Sequence, residues 1–306
     1  MNLLHLEYLI EVQKHGSISK AAKHLYLNQP HLSKIIKEFE TQMNFKIFER
    51  TSKGVVPTKK GLEFLNKAKV LVTQAKQLEN EYYNDNKEIM ELNICIPRAS
   101  YISETFVKCL ENELNNDYEL SINYQETNSI ETIKHVFEGE DNLGVIRFPI
   151  ADRKYFENIL KHKDLSYEEL FSFNYRLIMS KDNPLVSKEI TLNDLKDQIV
   201  LLHGDIEIPG MPLSDSSNLS NDLTFSKSIN IYERASQFEI LDKVKNSYMW
   251  VSPIPKKMLE RFNLVQKECK DNHIKCVDLL IYRKGYTFNQ GEKEFIQELN
   301  KTISKI

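Results

Sequence analysis

The chain has 306 residues, 41% of them hydrophobic and 28% charged, with four cysteines and a formal net charge of -3. That length exceeds one small core, four cysteines are too few for a disulfide framework, and near-neutral charge argues neither for nor against nucleic acid. The absence of an N-terminal apolar run with a cleavage site, and of any 18-residue apolar stretch, excludes a secreted or membrane-spanning protein and predicts a cytoplasmic one.

In chain order, the first informative stretch is residues 17–40, which predicts two short helices around a tight turn. Ser17 or Ser19 caps a helix whose apolar positions Ile18, Ala21, Ala22 and Leu25 recur at spacings of three and four. Ala21 and Ala22 are small enough for a second helix to cross at close range. Asn28 then caps that second helix, Pro30 sits in its first turn, and Leu32, Ile35, Ile36 and Phe39 form its inward stripe. Gln29, Pro30, His31, Ser33, Lys34 and Lys37 are left outside, near the helix N-terminus, where a major groove would be read. A small helical domain with a solvated face fits the same pattern. Phe45 to Thr58 reads as two short strands around a Ser-Lys-Gly turn, a wing on which Arg50, Lys53, Lys59 and Lys60 cluster, suited to a phosphate backbone.

From Leu3 to Lys69 the chain resembles the N-terminal domain of the LysR-type transcriptional regulators. Their pattern, L-x-x-F-x-x-V, S-x-x-x-A-A-x-x-L, S-Q-P-x-L-S and L-F-x-R-x-x-x-G-V-x-x-T-x-x-G, is met by Leu6 to Val12, Ser17 to Leu25, Asn28 to Ser33, and Ile47 to Gly61. Asn28 stands for a serine and caps equally well; His31 stands for an alanine. The resemblance implies double-stranded DNA as partner, with Gln29, Pro30, His31, Ser33 and Lys34 at or near the bases, Arg50, Lys53 and Lys59 on the backbone, and Ser19 among the DNA-binding residues. Charge agrees: residues 1–76 hold 13 Lys+Arg against 6 Asp+Glu, the remainder 28 against 38.

Thr58 caps a long helix reaching about Asn86, with Leu62, Leu65, Ala68, Val72, Ala75 and Tyr82 near three-and-four spacing. A helix of 25 to 30 residues spans about 40 Å, more than a small head covers, which predicts a homodimer through it. The resemblance implies the same, and that such dimers pair into homotetramers.

Beyond residue 87, strand-like runs alternate with helical ones: Leu92–Ile96, Tyr101–Leu114, Leu120–Tyr124, Ser129–Phe137 and Leu143–Phe148, then Tyr175–Met179, Ile199–Leu202, Ile229–Ile231, Arg234–Lys245 and Tyr248–Val251, and finally Ile274–Tyr282 with Gln290–Ile303. This layout resembles the LysR effector domain, which is similar to periplasmic solute-binding proteins. The expected class is α+β: a winged helix-turn-helix at 1–58, a linker helix at 59–88, then a two-lobed α/β effector domain, with lobe 1 at 89–162 plus 269–306 and lobe 2 at 163–268.

Ligands of such folds bind between lobes at strand carboxyl ends. Candidates are Arg98, Ser100 and Tyr101 after the first strand, Thr127 and Asn128 after the second, Arg147 after the third, and His203 and Ser252 from the other lobe. Ser100 and Asn128 read equally as helix caps, Arg147 as the partner of a carboxylate and His203 as a surface loop residue. Two arginines favour a carboxylate-bearing small-molecule effector. No cofactor, metal or catalytic residue is expected: there is no C-x-x-C, H-E-x-x-H, G-x-S-x-G, phosphate loop or dinucleotide fingerprint. Peroxide-sensing relatives carry a reactive cysteine pair in the second lobe, whereas here no cysteine occurs between Leu110 and Glu268. An exported solute-binding protein would have no use for a winged head; a head that reads DNA without ligand control remains the alternative.

Overall fold

The computed structural model describes residues 2–52, 54–83, 89–113, 119–204, 227–232 and 234–306. Two compact units divide it, one drawn from Met1–Lys87 and one from Glu88–Lys284 and Phe288–Ile306.

In the first unit, side-chain caps set where helices begin. Asn2 accepts from the Leu4 amide ahead of α1 (Leu3–His15), Ser17 from the Lys20 amide ahead of α2 (Ile18–His24), and Asn28 from the His31 amide ahead of α3 (Gln29–Met43). Strands β1 (Phe48–Thr51) and β2 (Gly54–Pro57) form an antiparallel ribbon, followed by α4 (Lys59–Tyr83). Thr58 Oγ1 caps α4 at the Gly61 amide, and a Cβ on Gly61 would stand 2.0 Å from the Ile47 carbonyl oxygen, so only glycine admits this close approach. One core gathers Leu6, Leu9, Val12, Ala21, Leu32, Phe39, Ile47, Leu65, Ala68 and Val72. The α4 stripe anticipated as a dimer seam is thus partly spent on its own domain, while Leu71 and Leu78, one heptad apart, are exposed. Residues 84–88, where that helix was expected to end, lie outside the described residues.

The second unit holds two five-stranded sheets. The first runs β4 (Glu119–Glu126), β3 (Ile89–Ile96), β5 (Leu143–Pro149), β12 (Lys275–Arg283), β6 (Leu165–Asn174). It is parallel across β4, β3 and β5 and antiparallel about β12. Helices α5 (Ser100–Glu113) and α10 (Gln290–Ile303) supply Tyr101, Ile102, Phe295 and Leu299 to one core. Helices α6 (Ser129–Glu138) and α7 (Arg153–His162) supply Ile133, Val136, Phe156 and Leu160 to another. The second sheet runs β11 (Leu264–Lys267), β7 (Arg176–Ser180), β10 (Ser247–Val251), β8 (Ile199–His203), β9 (Ser228–Ile231), with α8 (Arg234–Lys243) and α9 (Lys256–Arg261) beside it. Successive residues of its strands face opposite cores, Leu177 and Met179 one way and Ile178 the other.

The second lobe was expected to begin at residue 163. Instead β6 stays in the first sheet, pairing with β12, and the chain crosses over after Asn174. β12 is a central strand and needs partners on both sides; β6, with Glu168 and Glu169, suits the sheet edge. Among the described residues, no helix is long and apolar enough to cross a membrane.

Candidate DNA interface and interlobe cleft

The helix-turn-helix is set by packing. Ala21 and Ala22 are buried where α2 meets its neighbours, and Leu32, Ile35, Ile36 and Phe39 anchor α3. Gln29, Pro30, His31, Lys34 and Lys37 are exposed and Ser33 is half-buried; Ser19 on α2, Arg50 on β1 and Lys59 on α4 are exposed as well. Lys53 lies outside the described residues. Lys34 is 3.8 Å from Glu38, a solvent-exposed pair too weak to hold it.

Two head residues went unremarked in the sequence. Tyr26, in the turn before α3, is 97% exposed and left-handed at φ 56°, an unusual place for an aromatic side chain. Glu40 is buried near the end of α3 and accepts from the Ile47 and Phe48 amides at 2.9 and 3.1 Å and from Lys46 Nζ at 2.7 Å. Burial opposes its charge, but the Lys46 ammonium and the Phe48 and Ile47 amides prevail and hold its carboxyl below the usual value. Glu40 thereby locks the base of the wing to α3, fixing Arg50 relative to that helix.

In the second unit, the segments that follow parallel strands β3, β4 and β9 meet across the two lobes. Arg98 Nη2 of the first lobe donates to the Tyr232 carbonyl at 3.2 Å. From the second lobe, Arg234 at the start of α8 donates through Nη2 to Ser100 Oγ at 3.1 Å and through Nη1 to Ser103 Oγ at 2.6 Å, and it pairs with Glu126. Tyr124, its hydroxyl donating to Ser103, is raised to about 12 by burial and stays a neutral phenol. His203 lies in register with Ile231, next to Tyr232, and Ser252 is buried. Residues 205–226, including Asp205 after His203, are outside the described residues.

Three cleft candidates are committed elsewhere. Arg147 and Asp278 are direct cross-strand partners on β5 and β12, and the guanidinium grips the buried carboxylate at 2.8 Å (Nε) and 2.6 Å (Nη2). Tyr101 is buried and its hydroxyl donates to the same Asp278; burial, then the Asp278 charge, hold its phenol far above the usual value. Asn128 caps α6, accepting from the Ile130 and Glu131 amides. Arg234, not among the residues expected there, bridges the two lobes where Arg147 does not.

Residues 3–62 match the family described as bacterial regulatory helix-turn-helix protein, lysR family. The regulator AlsR of Bacillus subtilis is 24% identical over 86% of this chain and 83% of its own length. DgcR of a Pseudoalteromonas species is 28% identical over 49% of this chain, which spans about half of that regulator, 52%. Over the whole chain, the full-length structure of LysG from Corynebacterium glutamicum, solved with bound effector Arg, superposes with a TM-score of 0.65, covering 99% of that chain at 14% identity, a likeness of fold.

Residues 3–62 form a helix-turn-helix domain of the lysR family.

That domain, and the named regulator matched over most of the chain, mark it as a DNA-binding transcriptional regulator and not an enzyme. The four cysteines are all buried and unbridged: Cys95 and Cys276 are each pushed up to about 12 by burial, and burial raises Cys269 too. Thiols so protected are poor nucleophiles.

Proposed function

We propose that this LysR-type regulator acts in the cytoplasm as a homodimer on inverted-repeat DNA, and that a carboxylate-bearing small molecule between its lobes tunes that binding. The observation that carries the second part is Arg234, which crosses the cleft to Ser100, Ser103 and Glu126. An arginine held by one carboxylate can exchange it for another, and a ligand carboxylate would also meet Ser100 at the start of α5. Displaced, Glu126 would accept an ammonium, so an amino acid or its close derivative suits the pair; LysG, of like fold, carries bound arginine. Exchange of these bonds changes what holds the lobes together and so shifts the population of DNA-competent dimers. Arg98, Thr127, His203 and Ser252 belong to the same proposed site. Pairing of two dimers into a tetramer is part of the proposal.

On DNA, Gln29, Pro30, His31, Ser33 and Lys34 would face base edges, with Ser19, Arg50, Lys53 and Lys59 along the phosphates. Replacing Lys34 with alanine is expected to weaken binding to a genomic operator by about 1–3 kcal/mol while leaving random duplex within about twofold, as read by fluorescence anisotropy at fixed salt. Equal losses on both would reassign Lys34 to phosphate alone, and no preference for any genomic fragment would overturn the DNA reading.

For the dimer, Leu71 and Leu78 are, among the described residues, the exposed large apolar side chains of α4. The double substitution Leu71→Glu, Leu78→Glu is expected to give a monomer in sedimentation at about 10 μM, since charges at a coiled seam are costly to desolvate. A dimer unchanged by it would place the interface elsewhere.

A further inference from the structure

Glu11 and His15 stand one turn apart on α1, and His24 ends α2. Their side chains converge: His15 Nε2 is 3.3 Å and His24 Nε2 3.6 Å from the same oxygen, Glu11 Oε2, and the two imidazole rings are 4.9 Å apart centre to centre. One carboxylate oxygen and two ring nitrogens, one from each residue, all lie within 4.8 Å of one another.

Those spacings exceed the usual hydrogen-bond distance of about 2.9 Å, and they match the edge of a tetrahedron about a cation, near 3.3 Å for ligands bonded at about 2.0–2.1 Å. Glu11 Oε2 and His15 Nε2 are both sealed from solvent, and neither makes a hydrogen bond. Lys14 Nζ approaches only the other oxygen, Oε1, at 3.9 Å, and leaves Oε2 turned to the imidazoles. His24 is more than half exposed and gives an entry path.

We propose that Glu11, His15 and His24 bind a divalent transition-metal cation of the zinc, nickel or copper class, with solvent completing its coordination. Imidazole with a single carboxylate selects these ions over magnesium or calcium, which want oxygen ligands throughout. The cation would staple α1 to the C-terminal end of α2, two residues before Tyr26 and four before the Asn28 cap of α3. It would thus stiffen the turn that aims the recognition helix and add positive charge to the head.

A second cluster, Cys95, His135 and Asp141, is as tightly grouped but already satisfied within itself: Asp141 accepts from Asn123 and faces His135 at 3.1 Å, and Thr132 donates to Cys95. It serves as the control.

The test is titration of the untagged, chelator-treated full-length chain with cobalt(II), followed by its visible absorption, and with zinc, followed by calorimetry and melting temperature. Expected are one equivalent bound per chain and a higher melting temperature with zinc. His24→Ala, at an exposed position that leaves the fold intact by circular dichroism, is expected to weaken binding at least as much as loss of an outer-shell partner does, roughly 10 to 100-fold, and His15→Ala likewise. Absence of saturable binding by the unmodified chain would overturn the proposal. So would binding that survives both variants yet is lost in His135→Ala, which would put the cation on the other cluster.

Discussion

Replacing Asp278 with alanine is expected to lower the unfolding free energy of the two-sheet unit by about 3–5 kcal/mol, the usual cost of deleting one partner of a buried ion pair. The Asp278 side chain is fully buried and that of Arg147 only 10% exposed, so water cannot replace the lost carboxylate. The guanidinium would be left against the Phe173 ring, 4.8 Å from its centroid, and the Tyr101 hydroxyl would lose its acceptor. Because the chain has a single tryptophan, Trp250 in β10, denaturant unfolding followed by its fluorescence reports this unit and not the winged head. The double variant Arg147→Met, Asp278→Leu removes both charges and is expected to recover most of the loss, since a well-packed apolar pair often equals a buried ionic one. A loss below about 1 kcal/mol for Asp278→Ala would mean that the pair is screened and that Arg147 is available to the cleft after all.

Arg147 also marks where reading by sequence pattern stops. Its partner is 131 residues away, and nothing local distinguishes an arginine at a strand end that meets a ligand from one that meets Asp278 across a ladder. The winged head was legible because its signals are local: Ser17 and Asn28 as caps, Pro30 in a first turn, and Ala21 and Ala22 at a close crossing all act within a few residues or through fixed spacing. Strand β6 was hidden for a different reason. Its alternation is broken at Leu170, skipped where the register with β12 shifts between Asp278 and Leu279, so consecutive Leu170 and Phe171 pack on the same core and the segment does not keep a period of two. The α4 stripe was read as a dimer seam and did not include Leu71 or Leu78. Leu65, Ala68 and Val72 enter the head's own core, and only the burial pattern separates them from Leu71 and Leu78.

Arg234 was invisible in the same way as Arg147, its contacts being 108 to 134 residues away, yet it carries the second large expectation. Arg234→Ala is expected to weaken the effector by about 2–5 kcal/mol, roughly 30 to several thousand-fold, because it strips a charge from a desolvated, hydrogen-bonded pair. The measurement is a thermal-shift screen of the full chain against amino acids and simple carboxylates, followed by calorimetry of each hit on the variants. Arg234→Lys keeps the charge but not the fork that spans Ser100 and Ser103, and should recover only part of the affinity. Glu126→Gln separates the two halves of the ligand. If an ammonium replaces Arg234 on that carboxylate, amino acids lose affinity and plain carboxylates gain it, since Arg234 is then released from a competing anion. A hit that binds Arg234→Ala as tightly as the unmodified chain would place the ligand outside the cleft, and the two arginine bridges would then be lobe-to-lobe ties with no part in sensing.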